Sequence, residues 1–483
     1  MNRGIRRVGV AVVVLFLALV GQLVHLQVFS AETLENDPLN VRALVRDYAR
    51  PRGRILTADG REVARSEPTD DELERQRVYP LGPLLSHVAG YQSFLYGNTG
   101  VEAFYNDELV GRDLELALRG LADLFGEQDA TGTVVLSVRA DIQEVARDAL
   151  GDQHGSVVVL EPGTGAIVAM YSNPSFDPQP LAGHSQPEVE AYWTLLNANP
   201  DQPALARAYR EIYPAGSTFK IVTTAVGLEQ GVVETDTEFP SVREIELPLT
   251  TNTLRNFGGQ VCGGDLVESF VRSCNTTFGA LGLALGEGFV TGMEAFGIGS
   301  APPLDLRPGA VASTGPEPGT FERNQPLFAF AGIGQGDVAV TPLQMALVAA
   351  AVANDGVIME PHVADRIEDA DLQVVRRITP EPWRRAMSPA TAATIREMMV
   401  QVVERGTGTA ARIPGVQVAG KTGTAQQDGG PPHAWFVAFA PADAPEYVVA
   451  VLVERGGSAG DEATGGAVAA PVAARVLRAL LGV

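Results

Sequence analysis

The chain has 483 residues, 45% hydrophobic and 19% charged, with mean hydropathy near zero, which is enough apolar material for a large core and too much for a disordered chain. A net charge of −22 would repel phosphate backbones, which argues against a nucleic acid partner, and two cysteines make neither a zinc ribbon nor a disulfide framework. Of 36 basic residues only Lys220 and Lys421 are lysines. Arg stays protonated where Lys can be tuned to a neutral base, so these two positions are the first to inspect for chemistry.

Arg3, Arg6 and Arg7 precede an apolar run over 8–24 that weakens through Val28 and Phe29. About 20 residues at about 1.5 Å each cross a hydrocarbon core, so a membrane anchor is expected over 8–29 after a cytoplasmic tail of 1–7. Arginines before the run and acids after it place the N-terminus inside and the rest outside. A cleaved signal peptide ending near Val28-Phe29-Ser30 is the alternative, disfavoured because the run exceeds a normal signal core. Residues 30–130 are rich in Arg and acids. Val134, Leu136 and Val138 then alternate as a strand, and Asp141-Ile142-Gln143-Glu144 reads as a capping box opening a helix, with a domain boundary near Gly151. Runs over 156–160 and 166–171 flank Pro162-Gly163-Thr164-Gly165 as a hairpin. Thr341-Pro342-Leu343-Gln344 supplies an N-cap Thr, a first-turn Pro and a Gln at the third position, so a helix starts there. Three strand-like runs (416–419, 434–439 and 447–453) and an amphipathic helix over 471–481 close the chain. The economical fold class is α+β, an antiparallel sheet with helices packed on it.

The first lysine lies in Tyr213-Pro214-Ala215-Gly216-Ser217-Thr218-Phe219-Lys220, ahead of an apolar-periodic segment and Gly231. Pro and Gly break the chain before Ser217 and Gly231 suits a helix end, so Ser217 falls in a first helical turn with Lys220 three residues on, on the same face. A hydroxyl there sees the positive end of the helix dipole, and a desolvated neutral amine can take its proton. The bland alternative is an N-cap serine with a surface lysine. The second lysine opens Lys421-Thr422-Gly423-Thr424 directly after 416–419. A cation, hydroxyls and a flexible Gly at a strand edge suit a carboxylate-bearing extended peptide; alone the motif is also an ordinary turn. Both lysines falling in such patterns is what lifts the pair above chance. Between them, Ser273-Cys274-Asn275 separates two helix-like stretches, 265–271 and 277–285. Ser273 and Asn275 can point together into a cleft, offering a hydroxyl to relay a proton and an amide to orient a carbonyl, or they are a polar loop between helices. Cys262, twelve positions before Cys274, either pairs with it, worth roughly 3 kcal/mol on the chain-entropy model, or both are buried thiols. The six histidines show no metal-ligand spacing, and Trp435 reads as strand packing or as cleft lining beside Lys421.

In order and surroundings these three motifs resemble the penicillin-binding serine transpeptidases, whose S-x-x-K, S-x-N and K-T-G sets build one active site. The likeness covers nearly the whole chain. Arg52-Gly53-Arg54-Ile55 with Asp59-Gly60 is similar to the entry motif of the class B pedestal, and Tyr79-Pro80-Leu81-Gly82, 87–91 and 100–111 to its later blocks. Residues 160–178 resemble the start of the penicillin-binding domain, and Gly334-Gln335-Gly336 with 340–346 the block before the third motif. The chain most resembles the actinobacterial penicillin-binding protein A group of cell-division transpeptidases. Ala215, where many relatives carry a second Pro, is a departure that touches loop rigidity and not chemistry.

The resemblance implies a pedestal domain over 30–150 and a transpeptidase domain of the penicillin-binding/β-lactamase type over 151–483. It implies that Ser217 attacks the D-Ala-D-Ala carbonyl of a peptidoglycan stem peptide, with Lys220 as general base and Ser273 and Asn275 relaying the proton and holding the peptide. Lys421 and Thr424 would bind the substrate carboxylate, Thr422 and Gly423 shape the strand, and the backbone N–H groups of Ser217 and Thr424 form an oxyanion hole. A neighbouring stem-peptide amine would close the cross-link, β-lactams would acylate Ser217, and no metal or organic cofactor is required. The segment before Gly151 is too short for a glycosyltransferase domain, so glycan polymerisation falls to a divisome or glycosyltransferase partner at the cytoplasmic membrane. The rivals are a D,D-carboxypeptidase with water as acceptor and a non-catalytic divisome scaffold or penicillin-sensing receptor. Lysine at both motif positions speaks against the scaffold, and seven residues before the membrane are too few for a sensor's effector.

Overall fold

The computed structural model describes residues 2–25, 48, 50–113, 116, 131–427 and 429–483. The end of the expected anchor, 26–29, and the alternative cleavage site Val28-Phe29-Ser30 lie outside the described residues. The chain divides into two compact units, 1–51 with 67–76, and 52–66 with 77–483. In the first, helix α1 (Asn2–Val24) carries a 19-residue apolar stretch, Arg6–Val24. At 1.5 Å per residue it is about 28 Å long, enough to cross a hydrocarbon core. Its Val, Leu and Phe side chains are exposed, which water would penalise and lipid would not.

The remaining chain opens with β1 (Ile55–Leu56), β2 (Glu62–Pro68), β3 (Arg75–Val78) and β4 (Thr133–Leu136). Helix α2 (Ala140–Leu150) leads to the hairpin β5 (Gly155–Leu160) and β6 (Ile167–Asn173), joined through the expected Pro-Gly-Thr-Gly turn. The helical centre holds α3 (Lys220–Glu229), α4 (Leu266–Val271), α5 (Asn275–Leu285) and α6 (Pro342–Ala353). Next come β7 (Ala364–Glu368), β8 (Val374–Arg377), α7 (Pro389–Arg405), β9 (Ala419–Gln427), β10 (Gly430–Ala440), β11 (Tyr447–Val453) and α8 (Ala470–Leu481). One sheet runs β8-β7-β4-β1-β2-β3, with β1 and β4 parallel. The other is antiparallel throughout, β9-β10-β11-β5-β6.

The second sheet is the middle layer of three, so its central strands are apolar on both faces. Val157, Val159, Val449 and Val451 pack with Ile142 and Ala146 of α2 and Val472 and Val476 of α8. Val158, Leu160, Ala450 and Leu452 face the other way, toward the cluster that holds α6. Every residue of α6 is buried, and Thr341 caps it by accepting the Gln344 N–H at 3.0 Å. Gln344 does not complete a capping box, because its side chain donates to the Phe296 carbonyl at 2.8 Å instead.

Two local expectations need correction. Helix α2 begins at Ala140, and Asp141 lies inside its first turn and not at the cap. The capping is tertiary: Asp59 Oδ1 accepts the Ala140 N–H at 2.9 Å, and Gln143 enters the core, where it bonds Met170 and Leu84. The run 416–419 is not the strand before the third motif; β9 starts at Ala419 and carries Lys421-Thr422-Gly423-Thr424 inside it. Val416 turns back to bond Ile413, and Gln417 offers its carbonyl to Ala442.

Candidate active site

Ser217 lies on a 3-10 turn, Gly216–Phe219, that runs straight into α3. Gly216 sits at φ +54°, and a Cβ there would stand 2.7 Å from the Thr424 carbonyl oxygen, so glycine is what lets the turn press against β9. The Gly216 N–H donates to the Gly334 carbonyl at 2.8 Å, and the Thr218 hydroxyl to Ala215 at 2.7 Å. Trp435, wholly buried on β10, donates its indole N–H to the Pro214 carbonyl at 3.0 Å. It is a post behind the Ser217 turn and not part of the cleft wall.

Lys220 and Lys421 are both fully buried. Ser273, held at φ +61°, places its hydroxyl 3.2 Å from Lys220 Nζ and 2.9 Å from Lys421 Nζ. Lys220 Nζ also donates to the Ser273 carbonyl and to Asn275 Oδ1, each at 2.8 Å. Asn275 Nδ2 in turn donates to the Arg255 carbonyl at 3.0 Å, which fixes the amide's orientation. Each lysine nitrogen faces an aromatic ring, Lys220 over Phe278 and Lys421 over Phe270. Those contacts favour the charged form, but burial outweighs them. Burial, with the charge of Lys421 added, drives Lys220 well below the ordinary lysine range, and burial alone brings Lys421 down to about 7.

Three oxygen atoms thus surround Lys220 Nζ, the Ser273 carbonyl, Asn275 Oδ1 and Ser273 Oγ, and they fix its position beneath the cleft. Cys262 and Cys274 are joined in a disulfide with Cα atoms 5.4 Å apart, which holds the segment next to Ser273.

These groups open on a cleft of about 640 Å³. Ser217, Ser273 and Asn275 line it, as do Thr422 and Thr424 from the edge strand β9; Lys421 and Lys220 lie beneath. The motif residues Ser217, Lys220, Ser273, Asn275, Lys421, Thr422 and Thr424 thus gather at one place, and Gly423 packs against Thr218 and Trp435 behind it. Sequence reasoning missed Thr407, whose hydroxyl is 2.6 Å from that of Thr422, and the Thr464–Gly466 segment that forms part of the wall. The signal for Thr407 was present as Gly406-Thr407-Gly408-Thr409, a Gly/Thr run just past a long helix. A hydroxyl beside a buried amine, opposite a hydroxyl-bearing strand edge, is the equipment of an active-serine acyl transferase.

The chain belongs to the penicillin-binding protein transpeptidase family. The family model described as penicillin binding protein transpeptidase domain matches residues 155–478, and that described as penicillin binding protein A dimerisation domain matches 52–135. The peptidoglycan D,D-transpeptidase PbpA of Mycolicibacterium smegmatis is 42% identical over 496 residues, covering 100% of this chain and 99% of that protein. The protein of the same name from Mycobacterium tuberculosis is 41% identical over 500 residues, with 100% and 99% covered. Among solved structures, penicillin-binding protein A from M. tuberculosis as a ceftriaxone acyl-enzyme complex matches with a TM-score of 0.84 at 39% identity, over 90% of this chain and 100% of that one.

Proposed function

We propose that the chain is a peptidoglycan D,D-transpeptidase working through a Ser217 acyl-enzyme that β-lactams also form. The observation that carries this is the Ser273 hydroxyl, shared by a lysine depressed far enough to be a base and a second lysine that stays partly charged. Ser217 Oγ attacks the carbonyl of the penultimate D-Ala, and its proton passes to the lone pair of Lys220. The backbone N–H groups of Ser217 and Thr424 take the oxyanion. Collapse breaks the peptide bond, and the departing D-Ala nitrogen receives a proton through Ser273 from the lysine pair. Lys421 and the Thr422 and Thr424 hydroxyls hold the substrate carboxylate, and Asn275 holds the peptide backbone. The amine of a second stem peptide then attacks the ester, returns the proton to Ser217 and completes the cross-link.

We read the same protein as single-pass, anchored by 8–29 with residues 1–7 cytoplasmic, a pedestal over 30–150 and a catalytic domain over 151–483 outside. Its role is cell division, beside a glycosyltransferase or divisome partner. Protease protection in intact cells tests that orientation, since an external C-terminal domain is digested and an internal one survives. Intact-mass measurement with penicillin G tests the chemistry. Wild type is expected to form a stable one-to-one adduct, Ser217→Ala none, and Lys220→Arg an adduct only slowly. A folded wild-type protein that takes up no penicillin would sink the reading.

A further inference from the structure

The cleft differs in charge from the chain that surrounds it. The sequence has 58 acidic against 36 basic residues, yet among the described residues no Asp or Glu lines the cleft, whereas Arg255 and Arg272 do. Both arginines are tied to the second motif. Arg272 directly precedes Ser273, and the Arg255 carbonyl is the acceptor for Asn275 Nδ2. Their backbones are held, Arg255 by its strand pairing with Glu244 and Arg272 by the neighbouring disulfide. Their guanidinium groups face solvent. The Arg255 side chain is 72% exposed beside Glu244 at 2.6 Å, and Arg272 donates one bond, from Nη2 to the Val261 carbonyl at 2.9 Å. Phe257, 53% exposed, lines the same wall. In the mechanism proposed above the terminal carboxylate of the substrate is held by β9, so neither Arg255, with its exposed Glu244 partner, nor Arg272 is needed for it.

We propose that Arg255 and Arg272 form a subsite for a second carboxylate, carried by the stem peptide on a residue N-terminal to its D-Ala-D-Ala end. This rests on the transpeptidase reading above. A guanidinium is permanently charged and offers a planar fork of donors that matches a carboxylate, which a carboxamide answers only in part. The exposed Arg255–Glu244 pair is worth little in water, so an incoming carboxylate can share or displace it. Phe257 supplies an apolar surface for the carbons that bear the group. The subsite therefore selects stem peptides whose side-chain carboxylate is free over those in which it is amidated.

The test uses the full chain in detergent and two synthetic thioester donor peptides that differ only in one side chain, carboxylate against carboxamide. Thiol release reports kcat/KM. Wild type is expected to favour the acid by about tenfold or more at low salt, with the ratio shrinking as salt rises. Arg255→Gln and Arg272→Gln each move the ratio toward one, Arg255→Lys keeps part of it, Arg272→Glu inverts it, and Glu244→Gln enlarges it. Equal kcat/KM for the two peptides in wild type, or a ratio unmoved in both Gln variants, overturns the subsite. Penicillin acylation of the same sample separates the two readings. A wild type that is acylated yet indifferent to the carboxylate loses the subsite alone, and one that is not acylated loses the transpeptidase.

Discussion

In the proposed mechanism, with Lys220 as the base and Lys421 as the carboxylate-binding cation, the two lysines set the pH behaviour, each with its own sign. A base must be unprotonated, so lowering the pH through the Lys220 titration removes acylation; burial and the neighbouring charge put that titration well below the ordinary lysine range. A carboxylate-binding cation must be protonated, so raising the pH through about 7 discharges Lys421 in the free enzyme and weakens substrate capture. Because both share Ser273, the limbs belong to the pair and not to either residue alone. We expect a bell-shaped kcat/KM for a carboxylate-bearing donor with a falling limb near pH 7, and a Lys421→Met variant that lacks that limb; a profile flat from pH 6 to 9 would rule it out. Stability runs the other way. The unfolded chain holds these protons up to about pH 10, so it binds more than the folded one across the neutral range, and stability rises with pH over that window. This much was legible at the residue scale, since two lysines in an arginine-rich chain mark places where deprotonation matters. The left-handed Ser273 and the partner of Thr422 were not, because both depend on what packs beside them.

At the scale of elements, the third motif shows why pattern reading located the chemistry and misplaced the strand. Apolar Val416 and Val418 look like a strand and are a packed loop, while polar Lys421-Thr422-Gly423-Thr424 looks like a turn and is the strand. Strand preference reports fit to a half-buried surface, and β9 is chosen for its cleft-facing hydroxyls and for glycine's lack of bulk. Its geometry comes from outside. Gly216 abuts the Thr424 carbonyl, Gly465 comes so close that a Cβ would lie 2.0 Å from the Trp435 carbonyl oxygen, and Thr407 bonds Thr422. Removing only the last of these tests how much positioning it supplies. Thr407→Val keeps the shape and deletes the hydroxyl, and water in the cleft can satisfy Thr422, so the melting temperature should shift by no more than about 1 kcal/mol of stability. The second-order acylation rate with a fluorescent penicillin should nevertheless fall about tenfold, or about 1.4 kcal/mol of barrier. A Val variant that melts early and acylates normally would make Thr407 a structural residue only.

The molecule as a whole is sewn across its sequence in a way that composition and periodicity do not reveal. Strand β7, which lies between the second and third motifs, pairs Ala364 through Glu368 with β4, and β4 runs parallel to β1 near the start of the pedestal. Asp305, from the catalytic segment, accepts the Tyr105 hydroxyl at 2.7 Å and the backbone N–H groups of Val363 and Ala364. Local pattern finds short strands, but pairing partners some 230 residues apart follow from the whole core. The pedestal's own clamp is Glu102, fully buried between Arg52 and Arg77 at 2.6 Å each. Burial pushes its carboxyl up, and the two guanidinium groups outweigh that and hold it below the ordinary value. Glu102→Gln leaves two buried cations without their anion and should cost about 3–5 kcal/mol. Because the sheet is shared, that loss should not stay in the pedestal. Urea unfolding followed by the joint fluorescence of Trp193, Trp383 and Trp435, the last of them behind the Ser217 turn, and by retained penicillin binding should shift together in Glu102→Gln, as one cooperative transition. A variant whose penicillin binding survives to the wild-type urea midpoint, while a pedestal probe unfolds early, would mean that the two segments fold independently despite the strand they share.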